Sequence, residues 1–390
     1  MVQPFAFHAV KTIRFEPGAT ARLADHLGGM LGERILVVTD PGLAELGLPN
    51  PAIDSLRTNG ADVQVYSSVE ADPSRKTVED ATALAADMGA TGVLGFGGGS
   101  SLDVAKLAAL LAGSGEDLDD AWGVGNAKGP RLPLAAVPTT AGTGSEVTPV
   151  AIVTLPGDEK RGVSSPLLIP DAAILDPNLT IGLPGPITAA TGIDAMVHAI
   201  EAFASKSANN NPISQASAVE ALALLGQNIE TAVREPENVE ARSAMLLGAM
   251  LAGQAFANAP VAAVHALAYP IGGKFHVPHG LSNALVLPHV LRFNAAGTEG
   301  AREIYAALAP HAFPGLPATD GTQATCAAFI DRLAKLSDDL GLETQLRQVG
   351  ISEGDLPELA SEAMKQTRLL VNNPREVTEA DALKIYEAAY

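Results

Sequence analysis

The sequence predicts two domains, an α/β domain built on a parallel sheet and then an all-helical domain. In the first half, short β-branched runs alternate with Ala- and Leu-rich stretches, the order typical of repeated strand–helix–strand units. After about Pro184 the chain consists of long Ala-, Leu- and Met-rich stretches without period-two alternation. Pro184-Gly185-Pro186 interrupts both helix and strand patterns. We therefore place the domains at 1–183 and 184–390.

The elements of the first domain follow from its apolar runs. The predicted strands are Arg34–Thr39, Val63–Tyr66, Gly92–Phe96 and Leu134–Val137. The predicted helices between them are Ala19–Leu31, Arg75–Met88 and Ser101–Leu111. Parallel sheets of this kind are covered on both faces and bind ligands at the carboxyl ends of their strands. The loops that follow Thr39, Phe96 and Val137 are therefore the places to look for chemistry.

The second domain has only helical patterns. Its predicted helices are Thr188–Phe203, Pro212–Thr231, Val239–Asn258, Ala262–Gly272, Ala301–Ala309, Thr322–Leu340 and Glu379–Ala389.

Charge and cysteine content exclude several classes of function. The formal net charge of −19 would repel phosphate backbones and anionic lipids, so we expect a small-molecule substrate and neither nucleic acid nor membrane as partner. Cys326 is the only cysteine, which excludes an intrachain disulfide and Cys-based zinc clusters. Any metal must use His and carboxylate ligands. Because the first residues lack the apolar run of a signal peptide, we expect a cytoplasmic protein.

A glycine-rich loop follows the third predicted strand and opens a helix. Gly97, Gly98 and Gly99 allow close approach of a ligand, and the amides of Ser100, Ser101 and the first helical turn suit a pyrophosphate. The usual Gly-x-Gly-x-x-Gly spacing is not met, because Ser100 stands at its third glycine position, so this is a Rossmann-like variant. The alternative is a turn that only connects two elements.

A second loop of hydroxyl side chains and glycines follows the next strand and favours a dinucleotide. Its polar members Thr139, Thr140, Thr143 and Ser145 suit contacts to phosphate, ribose and the nicotinamide amide. We assign Asp103, in the helix after the glycines, to the same site. Asp40 ends the first predicted strand, where a carboxylate can bind ribose and repel a 2′-phosphate, so NAD is favoured over NADP. Asp40 is equally suited to the turn at Pro41-Gly42.

Four polar residues in apolar surroundings form a candidate metal site. Asp194 and His198 are spaced i, i+4 on one predicted helix face, His265 is a lone polar residue in an apolar helix, and His279 lies in the turn that follows. Three imidazoles and a carboxylate suit Fe²⁺ or Zn²⁺. Each histidine by itself could equally be a hydrogen-bonded core or surface residue.

These motifs together resemble the iron-containing (group III) alcohol dehydrogenase family, through nearly the whole chain. The matching segments are Gly97–Lys106, Pro138–Thr148, Thr188–His198 and Val264–His279. The resemblance implies a dehydroquinate synthase-like architecture and a homodimer or larger homo-oligomer. It also implies a metal-dependent, NAD-linked alcohol dehydrogenase that moves hydride between a small alcohol and a carbonyl. Fe²⁺ is the first choice of metal and Zn²⁺ is the second.

The resemblance also assigns residues to roles. The four candidate ligands take the family's metal positions, and Lys160 matches its cofactor-contacting lysine. Many members carry a histidine four residues after the third ligand, where this chain has Tyr269. The proton would then be relayed by Tyr269, by the nearby His276, or by solvent acting through the cofactor ribose. Two alternatives are a maleylacetate reductase-like carbonyl reductase without metal, and a lyase of the dehydroquinate synthase type.

Overall fold

The computed structural model of the chain describes residues 3–156, 159–317 and 320–390. The chain divides into two compact units. His8–Ile181 forms one, here called the α/β unit, and Gly182–Tyr390 with residues 3–7 forms the other, the helical unit. The predicted order of an α/β part followed by an all-helical part is confirmed.

The α/β unit is built on a six-stranded sheet in the order β1-β9-β6-β4-β2-β3, in which every strand pairs in parallel. The strands of the unit are β1 Thr12–Phe15, β2 Arg34–Val38, β3 Asp62–Tyr66, β4 Gly92–Gly97, β5 Gly123–Val124, β6 Leu134–Pro138, β7 Val150–Leu155, β8 Glu159–Ser164 and β9 Ala172–Leu175. Its helices are α1 Leu23–Leu27, α2 Pro41–Glu45, α3 Asn50–Thr58, α4 Arg75–Asp87, α5 Gly99–Ser114 and α6 Leu118–Ala121.

Burial on both faces explains why the central strands are continuously apolar. In β2, Leu36 and Val38 pack into the core that contains α4 and α5. Ile35 and Val37 of the same strand pack into the core that contains α1 and α3. Because successive side chains of a strand point to opposite faces, both alternating sets must be apolar when helices cover both faces.

The structure corrects the sequence prediction where local signals were weak. The predicted helix Ala19–Leu31 is a 3₁₀ turn followed by α1, which ends at Leu27 because Gly28 and Gly29 have φ of 55° and 79°. Helices α2, α3 and α6 and strands β1, β5, β7, β8 and β9 were not predicted from the sequence. Of these, β5, β8 and β7 form a separate three-stranded sheet, with β7 antiparallel to β8.

The helical unit contains no strand among its described residues. Its helices are α7 Gly185–Ala204, α8 Pro212–Arg234, α9 Val239–Asn258, α10 Ala263–Phe275, α11 His279–Gly297, α12 Glu299–Ala312, α13 Thr322–Asp339, α14 Leu356–Ala363, α15 Thr367–Leu370 and α16 Glu379–Ala389. Within the described part of the chain, no single helix has the length and apolar character to cross a membrane, and one bent pair, Val239–Asn258 with Ala263–Phe275, meets those two criteria jointly.

The turn predicted at His279 is wrong. His279 is the first residue of α11, and Pro278 is its N-cap with φ −51° and ψ 139°. A proline lacks the backbone N–H that later helical positions must donate, so it fits just before a helix. The Pro-His-Gly segment therefore starts a helix where its composition indicated a turn.

Candidate metal centre and nucleotide loops

The helical unit brings the four predicted metal ligands together. One ligand atom from each of Asp194, His198, His265 and His279 lies within 4.8 Å of the others, and these four residues are called the ligand cluster below. The Asp194 Oδ1 atom is 4.0 Å from His198 Nε2, 3.8 Å from His265 Nε2 and 3.6 Å from His279 Nε2. All except His279 are buried.

Three helices position the ligand cluster. Asp194 and His198 lie one turn apart on α7, His265 lies in the first turn of α10, and His279 begins α11. Gly280 lets α11 start against α7, because a Cβ at this position would lie 2.3 Å from the carbonyl oxygen of Ala190. A larger residue at position 280 would push His279 away from Asp194.

Aromatic packing fixes the imidazole rings. The His198 ring stacks between the rings of Phe256 and His265, with centroid distances of 4.5 and 4.7 Å. The His279 ring lies 5.4 Å from that of His265 and 5.9 Å from the ring of Tyr269. Rings held in this way lose little rotamer freedom when their nitrogen atoms converge on one point.

The electrostatics of the ligand cluster favour an ionised aspartate. Burial raises the pKa of the Asp194 carboxyl, but the three imidazoles and a hydrogen bond from Asn283 outweigh burial and hold that pKa below its ordinary value. A carboxylate with three nitrogen donors matches the ligand types of Fe²⁺ and Zn²⁺ sites. The Asp194 Oδ1 atom lies 3.6 to 4.0 Å from the three histidine nitrogen atoms, so the four donors are near enough to one another to bind one shared ion.

Glu201 contacts the ligand cluster and was not predicted from the sequence. Its carboxylate accepts hydrogen bonds from the backbone N–H of Ala262 at 3.0 Å and of Val264 at 2.6 Å, and Oε2 is 2.7 Å from His265 Nδ1. Because a carboxylate can only accept here, Nδ1 carries the proton and Nε2 faces the ligand cluster as a lone pair. The sequence feature that could have revealed Glu201 is its position as a lone carboxylate three residues after His198 in an apolar helix.

The glycine-rich loop of the α/β unit forms an open helix N-terminus. Gly98 is the N-cap of α5, no side chain caps this end, and its first turn contains no acidic residue. Gly97 has φ 148°, a backbone conformation that favours glycine. The amides of Gly99, Ser100 and Ser101 in the first turn therefore suit an anionic group.

The structure places the second predicted loop beside the first. The Thr139 amide donates to the Gly97 carbonyl at 3.1 Å. A Cβ on Gly98 would lie 3.6 Å from the Thr140 side chain, and one on Gly99 would lie 2.8 Å from that of Thr143. The three threonines thus border the open end of α5, where hydroxyl donors can supplement its amides.

Asp103 and Ser145 form a hydrogen bond with each other. The Ser145 hydroxyl donates to Asp103 Oδ1 at 2.6 Å, and the Ile152 amide donates to Oδ2 at 2.9 Å. The buried Lys106 ammonium donates to Ser145, Thr148 and the Val150 carbonyl at 2.7 to 3.1 Å. These contacts tie the second loop to α5, and the cofactor-binding role of Asp103 and Ser145 stays a prediction.

Two buried groups near this loop have strongly shifted pKa values. Burial lowers the pKa of Lys106 to about 8, against the opposing effect of Asp103 and Glu146. Burial also raises the pKa of Glu146 to about 7. Neither residue was predicted as a site residue, because the sequence does not show that a helical lysine or a loop glutamate is buried.

The remaining predicted residues lie at separate places. Asp40 is the N-cap of α2, and its Oδ1 accepts from the Leu43 amide at 2.9 Å. The Leu43 side chain reaches within 3.3 Å of the ideal Cβ position of Gly97, so α2 borders the glycine-rich loop. Lys160, on β8, pairs with Asp72 at 2.5 Å. His276 caps the C-terminus of α10 with a positive φ of 54°.

Comparison with known proteins points to one family for both units. Residues 11–177 match the family model described as iron-containing alcohol dehydrogenase, and residues 188–390 match the one described as Fe-containing alcohol dehydrogenase family, C-terminal. The chain is 40% identical to long-chain-alcohol dehydrogenase 1 of Geobacillus thermodenitrificans (strain NG80-2), covering 96% of this chain and 93% of that one.

Two further similarities cover the whole length. The chain is 34% identical to a sulfoacetaldehyde reductase of Bilophila wadsworthia (strain 3_1_6), covering 99% of each chain. It is also similar to the crystal structure of a 1,3-propanediol oxidoreductase, with a TM-score of 0.94, 33% identity and full coverage of both chains. Sequence and fold therefore agree on the same set of relatives.

Proposed function

Because the chain belongs to the iron-containing alcohol dehydrogenase family, it is an oxidoreductase that acts on CH–OH groups, and we propose that it interconverts a small alcohol with its aldehyde or ketone. The proposed cofactors are NAD, in preference to NADP, and one divalent cation, Fe²⁺ in preference to Zn²⁺. The observation that supports the proposal most directly is the convergence of the ligand cluster on one point.

The helical unit would hold the cation. When bound, a divalent cation supplies a Lewis acid for an alcohol or carbonyl oxygen, and NAD supplies the acceptor or donor of hydride. Asp194, ionised in its buried setting, balances part of the cation's charge. Glu201 keeps the proton of His265 on Nδ1, so that Nε2 faces the cation. The four side chains thereby fix the place of reaction.

The α/β unit, within the proposed dinucleotide-binding domain 1–183, would hold NAD. We assign the pyrophosphate to the amides of Gly97–Ser101 at the open end of α5, and further polar contacts to Thr139, Thr140 and Thr143. Asp40 is assigned to a ribose, next to the glycine-rich loop. Lys160 keeps its proposed role as a cofactor contact. The domain 184–390 is proposed to bind the divalent cation.

Tyr269 is the first choice for the proton relay because its ring lies 5.9 Å from that of His279. His276 is the second choice, one residue beyond the end of α10. A phenol or an imidazole can each pass a proton between an alcohol oxygen and solvent. If Tyr269 relays the proton, Tyr269→Phe lowers kcat and removes a limb from its pH profile, whereas His276→Ala leaves that limb in place.

Metal removal and reconstitution test the function. The chelator-treated protein and the protein reconstituted anaerobically with Fe²⁺ or Zn²⁺ would be assayed with NAD(H) and NADP(H). The compounds tested would include a long-chain alcohol, 1,3-propanediol and sulfoacetaldehyde, because similar proteins are named after these compounds. We expect activity only with metal, and its loss in His265→Ala. Undiminished activity of His265→Ala without metal would contradict the proposal.

The same assays separate the two alternatives. Activity that survives complete metal removal, best on a carboxylated carbonyl compound, would indicate a maleylacetate reductase-like enzyme. Product formation with no net change in NADH absorbance would indicate a lyase of the dehydroquinate synthase type, in which the hydride returns within one turnover.

The proposal also includes a cytoplasmic location and assembly into a homodimer or larger homo-oligomer. The free, buried Cys326 suits a reducing compartment, and the family resemblance supports the assembly. Size-exclusion chromatography with light scattering measures the mass of the full-length protein in solution. The mass of a monomer would contradict the proposed homo-oligomer.

A further inference from the structure

Asn283 lies against three members of the ligand cluster. Its Nδ2 atom is 2.6 Å from Asp194 Oδ1, 3.3 Å from His265 Nε2 and 3.4 Å from His279 Nε2. The residue is fully buried, with an exposed fraction of 0%. It follows His279 by one turn of α11, so both side chains share one face of that helix.

The chemistry of an amide decides what Asn283 can do in this place. An amide nitrogen has two N–H donors and no lone pair that a cation could use. Its partner Asp194 Oδ1 is a carboxylate oxygen, which accepts hydrogen bonds, and the Nδ2–Oδ1 separation of 2.6 Å is a short hydrogen bond. Asn283 is therefore a donor to a ligand and not itself a ligand in this orientation.

The orientation of the amide is set by Asp194. The Asn283 Oδ1 atom is buried and has no hydrogen-bond partner among the described residues. Turning the amide over would place that oxygen against the carboxylate, which repels it, and would leave the carboxylate without its donor. The buried oxygen without a partner is the cost of keeping the N–H group on Asp194.

We propose that Asn283 is a positioning residue that fixes the Asp194 carboxylate for the cation and so raises the affinity of the ligand cluster for a divalent metal. The inference rests on the proposed metal site. It goes beyond the four ligands by assigning a role to the side chain that links α11 to α7 through Asp194. Residues that hydrogen-bond to metal ligands typically change metal affinity by about 10–100-fold when they are substituted.

The decisive variant is Asn283→Leu, which keeps the approximate shape and removes both N–H donors. Asn294→Leu is the matched control, because Asn294 is also a buried amide of α11 but donates to Tyr305 and Asn373, away from the ligand cluster. Both variants remove a buried hydrogen-bonding amide, so both should lower thermal stability. Only the first removes the contact with Asp194.

The experiment titrates Co²⁺ into the metal-free full-length proteins and follows the visible absorption of the bound ion, which reports affinity and coordination geometry. We expect the Kd of Asn283→Leu to rise about 10–100-fold, with the same band positions as the wild type. The Kd of Asn294→Leu should equal that of the wild type. Circular dichroism on each metal-free protein shows whether it is folded, and Asn283→Ala replaces the leucine variant if that one is not.

The outcomes are distinct. An unchanged or lower Kd for both Asn283 variants would overturn the inference, because Asn283 would then contribute nothing or compete with the ion. A shift of the bands on substitution would also overturn it, since Asn283 would then be a direct ligand through its oxygen. If the folded wild type binds no Co²⁺, the proposed function fails instead.

Discussion

Glu201 on α7 and His265 on α10 are joined by a hydrogen bond in which His265 Nδ1–H donates to Glu201 Oε2 at 2.7 Å. The same carboxylate accepts the Ala262 and Val264 amides at the N-terminus of α10. One buried side chain therefore fixes both the start of a helix and the tautomer of a ligand on it. A negative charge is favourable at this end of a helix, which adds to the stability of the arrangement.

Glu201→Gln should weaken divalent metal binding by about 10–100-fold. The glutamine amide can donate to His265 Nδ1, which moves the imidazole proton to Nε2 and blocks the lone pair needed by the cation. Competition with a coloured chelator measures the affinity without an activity assay. Glu362→Gln, which alters an exposed pair with Lys365 in the same unit, should bind metal as the wild type does. Equal affinity of Glu201→Gln and wild type would argue against the role of Glu201.

Lys106 should make cofactor binding sensitive to alkaline pH. Its ammonium makes three donor contacts to the second loop, and burial lowers its pKa to about 8. Above that pH the neutral amine has only two N–H groups, so one contact is lost and the loop loosens. NADH fluorescence titrations should show a weaker affinity at pH values above about 8 than below.

In Lys106→Met the affinity for NADH should be low at every pH and without this transition. The matched control is Lys76→Met, because Lys76 forms an exposed pair with Asp80 in the same unit and its loss should change little. A pH transition that persists unchanged in Lys106→Met would assign the effect to another group.

Asp40→Asn should relax the preference for NAD. The asparagine oxygen can still accept from the Leu43 amide, so the cap of α2 remains while the charge that repels a 2′-phosphate is removed. We expect the ratio of kcat/KM for NADP to that for NAD to rise at least about tenfold, or about 1.4 kcal/mol. Asp40→Ala should show the same change and an added loss of about 1 kcal/mol in stability, since it also removes the cap. An unaltered cofactor ratio in both variants would remove Asp40 from the ribose site.

Asp171→Asn should destabilise the α/β unit at neutral pH. The Asp171 carboxylate accepts from Arg131, Lys11 and the Leu134 amide. Burial raises its pKa, but these hydrogen bonds outweigh burial and lower the pKa to about 2, from 3.8. Since the folded-state value is the lower one, the stabilisation is complete above pH 3.8 and is lost as the pH falls towards 2.

Urea unfolding followed by Trp122, the only tryptophan and a residue of this unit, measures the effect. After allowance for solvent screening, we expect the free energy of unfolding of Asp171→Asn to be about 1 kcal/mol below that of the wild type at pH 7. This difference should become smaller as the pH falls below the ordinary aspartate pKa. Glu159→Gln, which removes an exposed pair with Arg161, should leave the transition unchanged. A difference between wild type and Asp171→Asn that stays constant down to pH 2 would contradict the pKa argument.

Patterns within one element were predicted well. The strand β2 was found because Ile35–Val38 are all apolar, and the pair Asp194 and His198 was found because residues four apart share a helix face. Signals that conflict locally were misread. His279 follows a proline and precedes a glycine, a composition typical of a turn, yet α11 starts there because that end packs on α7. Strand β9 is Ala-rich and short, and it exists through its pairing with β1 and β6.

By itself the sequence determined the class of the fold, the order of the two units, the glycine-rich loop and the types of metal ligand, because these depend on residue type and on spacing along the chain. Only the tertiary structure decided which atoms meet. Asn283 is 89 residues from Asp194 and Glu201 is 64 from His265, yet each pair is within hydrogen-bond distance. The physical reason is that helix geometry fixes neighbours three or four residues apart, whereas contacts between helices depend on the packing of the whole unit.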